Sequence, residues 1–177
     1  RSGTSMMMQM LHKGGVDILI DGVREADENN PKGYFEFEAV KRLQSDNSWL
    51  AEAKNKGIKI ISHLLPELPA KYKYKVILME RDMEEVIRSQ HVMLERLGKV
   101  QKGTYVGSVD MTFRHNLDKI ALWAEEREYV DMLYVKYTDV IENPQNEAQK
   151  ICQFLNLDLD IEKMVQAVDQ KLYRTKI

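Results

Sequence analysis

Two groups of residues in this sequence have the types and spacing to hold anions. The first is Arg1-Ser2-Gly3-Thr4-Ser5. Gly3 lets the backbone turn tightly and approach a ligand, and Thr4 and Ser5 add hydroxyls at the start of a helix. The first amides of a helix point outward unpaired, and its dipole favours an anion there. The same five residues would also make an ordinary hydroxyl cap after a glycine turn. A nucleotide-kinase loop would read G-x-x-x-x-G-K-[ST]; here Thr4 stands in place of that lysine, and the nearest cation is Arg1. The second group is Arg81 and Ser89. Arg81 follows an apolar run and precedes a helical pattern starting near Asp82, and Ser89 lies seven residues, two turns, beyond Asp82. A guanidinium and a hydroxyl converging near a helix start suit a phosphate dianion. The alternative is a surface ion pair from Arg81 to Asp82 or Glu85.

The elements that must carry these residues follow from periodicity. Residues 4–13 read as a helix stopped by Gly14-Gly15, with its methionines in a core. Val16 to Ile20 is a short strand candidate, and Asp21 to Gly33 reads as a long loop. Helical patterns cover about 37–45 and 48–56. Ile58-Lys59-Ile60-Ile61 is a buried-strand candidate, and Tyr74 to Met79 is a stronger one. A helix then runs to about Leu97, a loop spans 98–107, and Ser108 caps a helix reaching about Tyr129, with Phe113, Leu117, Ile120 and Trp123 on one face. Met132 to Tyr137 is a further strand, and 147–155 and 161–168 are helices. Strands alternating with helices predict a single three-layer α/β/α domain around a mostly parallel central sheet. Ligands of such sheets bind beyond the carboxyl ends of the strands. A loop like Arg1 to Ser5 is normally fed by a strand, so an apolar strand of about five residues is expected upstream of Arg1.

The bulk numbers fit that reading. The chain has 177 residues, 44% hydrophobic and 31% charged, with a net charge of −2. Such a balance gives no reason to expect nucleic acid or an anionic membrane as partner, so any phosphate-holding charge must be local. Cys152 is the single cysteine, which excludes an internal disulfide framework; its apolar neighbours predict packing, and a reducing cytoplasm is the expected setting. No run approaches the length of a membrane span.

Taken together the motifs resemble the sulfotransferases that use 3′-phosphoadenosine 5′-phosphosulfate, and the resemblance implies a P-loop NTPase-like fold. R-S-G-T-S is similar to their 5′-phosphosulfate loop, and Ile77 to Ser89 is similar to their 3′-phosphate motif, with the same eight-residue step from Arg81 to Ser89. Tyr137-Thr138-Asp139-Val140, Asn143-Pro144 and Phe154-Leu155-Asn156-Leu157 resemble the later Y-E-D-L…P…F-L-G-L stretch. The resemblance implies that Arg1 binds the 5′-phosphosulfate and steadies the departing phosphate, that Ser2, Gly3, Thr4 and Ser5 cradle the same group, and that Arg81 and Ser89 hold the 3′-phosphate. It places Tyr137 at an adenine contact, with strand-end packing as the alternative. Arg174 either reaches a phosphate or is a solvated charge.

The implied reaction moves a sulfuryl group to a hydroxyl or amine, with no metal expected, because fixed cations and amides can stabilise the leaving oxygen. A base must take the acceptor's proton. Ser62-His63-Leu64 resembles the family's K-T-H-L segment, with Ile61 in place of its lysine, and makes His63 one candidate. Glu36 is another, with Asp21 and Glu25 in the same segment. Two other readings stay open: a P-loop nucleotide or small-molecule kinase using Glu80 and Asp82 for magnesium, and a non-catalytic nucleotide-binding domain. The acceptor and the oligomeric state are not written in these residues.

Overall fold

The computed structural model describes residues 2–28, 30–96, 98–100, 109–170 and 173, without the side chains of 109–115. The predicted 98–107 loop and the Ser108 cap fall largely outside this set, as do Arg1 and Arg174.

Two apolar runs build the sheet. Strand β1 (Tyr74–Glu80) and strand β2 (Val130–Lys136) pair in parallel, from Tyr74 opposite Val130 to Glu80 opposite Lys136. Side chains alternate across a strand, so this register sorts them by face. Tyr74, Val76, Val130 and Met132 pack into one core cluster, and Ile77, Met79, Leu133 and Val135 into another. Both faces are therefore covered, as an α/β fold of layered type requires. Helices α2 (Met83–Arg96) and α3 (Val109–Glu125) make the crossover between the strands.

The first cluster collects Ile120, Trp123 and Ala124 of α3 with Val40, Leu43, Trp49, Leu50, Leu65 and Leu68 from the 37–68 region. The second is helical. Helix α1 (Thr4–Gly14) puts Met7, Met10 and Leu11 against α4 (Tyr137–Glu142), α5 (Pro144–Leu155) and α6 (Ile161–Ala167). Unbranched methionine keeps its rotamer freedom in a helix and fills irregular gaps, which suits this packing. At the far end of α1 the N–H of Gly15 meets His12 O and that of Val16 meets Leu11 O, a double bond pattern that closes the helix where the glycine pair predicts. Pro144 opens α5 at a position that lacks a helical N–H partner anyway, and Asp160 caps α6 by accepting from the Lys163 N–H at 3.0 Å. Cys152 sits half-buried with Sγ 3.9 Å from Met164 Sδ, and burial pushes its thiol pKa up.

Four expected segments are corrected. Val16–Ile20 and Ile58–Ile61 do not form strands; they meet at a single parallel bridge between Ile18 and Gly57. Two hydrogen bonds hold it, Gly57 N–H to Asp17 O and Leu19 N–H to Gly57 O. The helical patterns at 37–45 and 48–56 shrink to 3-10 turns over Glu38–Arg42 and Ser48–Ala51. Polar side chains compete with helix propagation there: the Asp46 carboxylate accepts from both the N–H and hydroxyl of Ser48, and Asn55 turns left-handed at φ 61°. No helix among the described residues is long and apolar enough to cross a membrane.

Candidate active site

Parallel strands end together, so their following residues share one edge. Arg81 leaves β1 there, Tyr137 leaves β2, and the opening turn of α1 backs onto both. Gly3 has φ 96°, and a Cβ built on it would fall 2.4 Å from Tyr137 Cδ2 and 3.4 Å from Met79 Cε. Only glycine accepts both this conformation and this approach. The first bond of α1 runs from the Met7 N–H to Gly3 O at 3.1 Å, and no side chain among the described residues caps the helix. The amides of Thr4, Ser5 and Met6 thus precede the helical ladder, as an anion cradle requires.

Beside this turn lies a buried charged cluster. The Arg81 guanidinium stacks 4.3 Å from the centroid of the Tyr137 ring and 5.3 Å from that of Tyr173, and the two rings meet edge-on at 5.3 Å. Arg81 Nε donates to Glu85 Oε2 at 2.8 Å, with side-chain exposures of only 7% and 5%. Tyr173 Oη donates to the other oxygen of Glu85. The Arg81–Glu85 pair anticipated as a surface alternative therefore exists, but it is buried. Glu85 fixes the plane of the guanidinium. Ser89 is buried one turn further on, so Arg81, Glu85 and Ser89 occupy one flank of α2. Tyr137 is enclosed by Gly3 and Arg81, so its ring serves as a packing wall. Burial pushes its phenol pKa up.

Asp82 has a different task. Its Oδ1 accepts from the N–H groups of Glu84 (2.9 Å) and Glu85 (3.3 Å), which makes it the cap of α2. Among the described residues no group of three or more His, Cys, Asp or Glu side chains could hold a metal ion.

On the other side of the turn, the Ser5 hydroxyl accepts from Asn30 Nδ2 at 3.0 Å and donates to Tyr34 O at 3.4 Å. Lys59 Nζ joins it: 2.9 Å to Tyr34 O, 3.3 Å to Ser5 Oγ and 3.5 Å to Glu36 Oε1. The same Glu36 oxygen accepts from Arg24 Nη1 at 2.9 Å, and Arg24 stacks over the Tyr34 ring, 3.4 Å from its centroid. Tyr34 Oη in turn donates to Asp27. The Lys59 side chain is 17% exposed, and burial holds its ammonium below the usual lysine range while Glu36 pulls it back.

These contacts sort the candidate residues. Gly3, Thr4, Ser5 and Glu36 lie on one side of the turn or within it, and Arg81, Ser89 and Tyr137 lie on the other; Ser2 is half-buried just before it. His63 stands apart, exposed in the 3-10 turn Ser62–Glu67, and no hydrogen bond or ion pair ties it to the loop among the described residues. Asp21 accepts from the Glu38 and Val23 N–H groups, which hold its carboxyl below the ordinary range, the Glu38 bond most of all. It caps a turn. Lys59 and Arg24 are what sequence reasoning missed. The available signal was a lone charge between inward-facing Ile58 and Ile60, whose parity sends it to the opposite face.

Comparison with known proteins gives this site its context. A family model for the sulfotransferase domain matches residues 1–176. The chain belongs to the sulfotransferase family. It is also similar to "Sulfotransferase 1 family member D1" of Mus musculus, 30% identical over 104 residues. That match covers 54% of this chain and 35% of the relative, so it spans about a third of the relative's length. No solved structure matches the chain.

Proposed function

We propose that this chain transfers a sulfuryl group from 3′-phosphoadenosine 5′-phosphosulfate to a hydroxyl or amine acceptor. One observation carries the reading: Gly3 and Arg81 touch the same Tyr137 ring. An opening turn suited to an anion and a buried guanidinium thus sit side by side at one sheet edge. A nucleotide with phosphates at two positions needs such a pair of neighbouring sites.

In this reading the amides of Thr4, Ser5 and Met6, with Ser2 and Arg1, hold the 5′-phosphosulfate. Arg81, oriented by Glu85, and Ser89 hold the 3′-phosphate, with Arg174 as an added phosphate contact. When donor and acceptor are bound, the acceptor's oxygen or nitrogen bonds to sulfur, the bond from sulfur to the 5′-phosphate oxygen breaks, and the electron pair leaves on that oxygen. Amides and cations already in place stabilise the developing charge without reorganisation. Glu36 takes the acceptor's proton. It is favoured over His63 because Lys59 bridges it to Ser5 of the phosphate turn, whereas among the described residues His63 has no such link. No metal is assigned to the reaction. A single domain and a reducing, cytoplasmic setting suit the chain's length and its lone cysteine.

Transfer of label from sulfur-35 3′-phosphoadenosine 5′-phosphosulfate to a panel of phenols, alcohols and amines tests the activity. The proposal expects a labelled product with at least one acceptor and release of adenosine 3′,5′-bisphosphate. Bisphosphate binding with no labelled product across the panel favours the non-catalytic reading instead.

A further inference from the structure

We propose that Arg24 sets acceptor specificity: its guanidinium selects acceptors that carry a carboxylate or similar anionic group close to the hydroxyl or amine that receives the sulfuryl group. The inference rests on the sulfotransferase reading above, with Glu36 as base, and names an acceptor class which that reading leaves open.

Arg24 is fixed, charged and accessible at once. Its guanidinium lies over the Tyr34 ring, 3.4 Å from the centroid, and its Nη1 donates to Glu36 Oε1 at 2.9 Å. Tyr34 is anchored in turn: the residue is buried, and its hydroxyl donates to Asp27 Oδ1 at 2.8 Å. Yet the Arg24 side chain stays 44% exposed. A guanidinium carries five N–H donors in one plane. Tyr34 covers a face of that plane and Glu36 takes one donor at its edge, which leaves donors for an anion arriving from solvent.

Charge and strain point the same way. Lys59 Nζ lies 3.5 Å from the Glu36 oxygen that Arg24 holds, so one carboxylate faces two cations. The other carboxylate nearby, Asp27, sits at the hydroxyl end of Tyr34. Between Tyr34 and Glu36, Phe35 adopts φ 54°, a left-handed conformation that bulky side chains rarely take. Such strain persists where the surroundings over-determine it, and it gathers at ligand sites.

Geometry sets where the anion must lie on the acceptor. The reacting oxygen or nitrogen must come within hydrogen-bond reach of Glu36, and Arg24 is one hydrogen bond from that carboxylate. An anionic group within about 6 Å of the reacting atom, the span of two hydrogen bonds meeting at one oxygen, therefore reaches Arg24.

Matched acceptors test this: 3-hydroxybenzoate against 3-hydroxybenzamide, lactate against lactamide, and β-alanine against β-alaninamide. Each pair differs by one charge. The readout is the ratio of kcat/KM within a pair, measured by transfer of label from the sulfur-35 donor. A change in the strength of Glu36 acts on both members, so the ratio isolates recognition. Wild type should favour the anionic member of at least one pair about tenfold or more, and added salt should shrink that preference. Arg24→Gln should bring the ratio close to one, and Arg24→Lys should keep part of it. Ratios near one in the wild type for every pair, or a ratio unchanged in Arg24→Gln, overturn the assignment of Arg24. Transfer to neutral acceptors alone overturns that assignment and leaves the sulfotransferase reading standing, whereas transfer to no acceptor at all overturns both.

Discussion

Tyr137 stands where a side chain on residue 3 would have to go. A Cβ added to Gly3 would lie 2.4 Å from Tyr137 Cδ2, on a backbone already at φ 96°. The contact joins residues 134 positions apart in the chain. It locks the opening turn of α1 to the end of β2, and it is why the proposed 5′-site and 3′-site are neighbours.

Gly3→Ala is therefore expected to cost more than a helix-start substitution normally does. The left-handed conformation alone costs a side chain about 1–2 kcal/mol, and the ring must also shift. Calorimetry with adenosine 3′,5′-bisphosphate should show affinity falling about tenfold or more, with a lowered melting temperature. Unchanged affinity would show that the turn does not touch the nucleotide.

Arg81 has both a structural partner and a proposed ligand, and the two roles can be separated. Arg81→Ala leaves Glu85 buried without its cation, a change that costs about 3–5 kcal/mol of stability. Adding Glu85→Gln removes the stranded charge while leaving an oxygen for Tyr173. The double variant should recover most of the stability yet still bind the bisphosphate about 2–3 kcal/mol more weakly than wild type, as expected for a lost charged hydrogen-bonding partner. If binding recovers with stability, Arg81 is only a structural residue.

The proton acceptor is tested by a pair of variants, using whichever acceptor yields product. Glu36→Gln should lower turnover by about 10²–10⁴-fold, the range for loss of a general base. His63→Gln should leave turnover nearly unchanged. The reverse pattern would move the role to His63.

Alkali should loosen the cluster around Arg81. The Tyr173 phenol is pushed up to about 12, first by its hydrogen bond to Glu85 and then by burial. An unfolded tyrosine ionises near 10. Between those values the folded protein keeps a proton that the unfolded chain has released, so this contribution is complete below about pH 10 and is lost as pH rises towards 12. Tyr74, pushed up to about 12 by burial, acts in the same window. Urea unfolding from about pH 9 to about pH 12 should thus show falling stability in wild type and a shallower fall in Tyr173→Phe. Identical slopes would mean that Tyr173 has no protected proton.

The sheet and the helices packed on it were legible because their signals are local. Tyr74 to Met79 and Met132 to Tyr137 are apolar runs of strand length, and α1 ends where paired glycines end it. The segment at Ile58–Ile61 shows where locality fails. Ile58 and Ile60 do face the core and Lys59 does face away, as in a strand, but the partner segment supplies only one bridge, and Ile61 is 50% exposed. Parity tells which way Lys59 points; it does not tell that Ser5, 54 residues earlier, is waiting there. Glu85 was likewise visible as a partner for Arg81, while the burial that changes the pair's meaning comes from Tyr137 and Tyr173, both remote in sequence.

The most direct test of the account is calorimetric titration in EDTA with adenosine 3′,5′-bisphosphate and with adenosine 5′-monophosphate, which lacks the 3′-phosphate. Two neighbouring anion sites predict that the bisphosphate binds without magnesium and at least about tenfold more tightly than the monophosphate. Equal affinities, or binding only of magnesium-ATP, would contradict it.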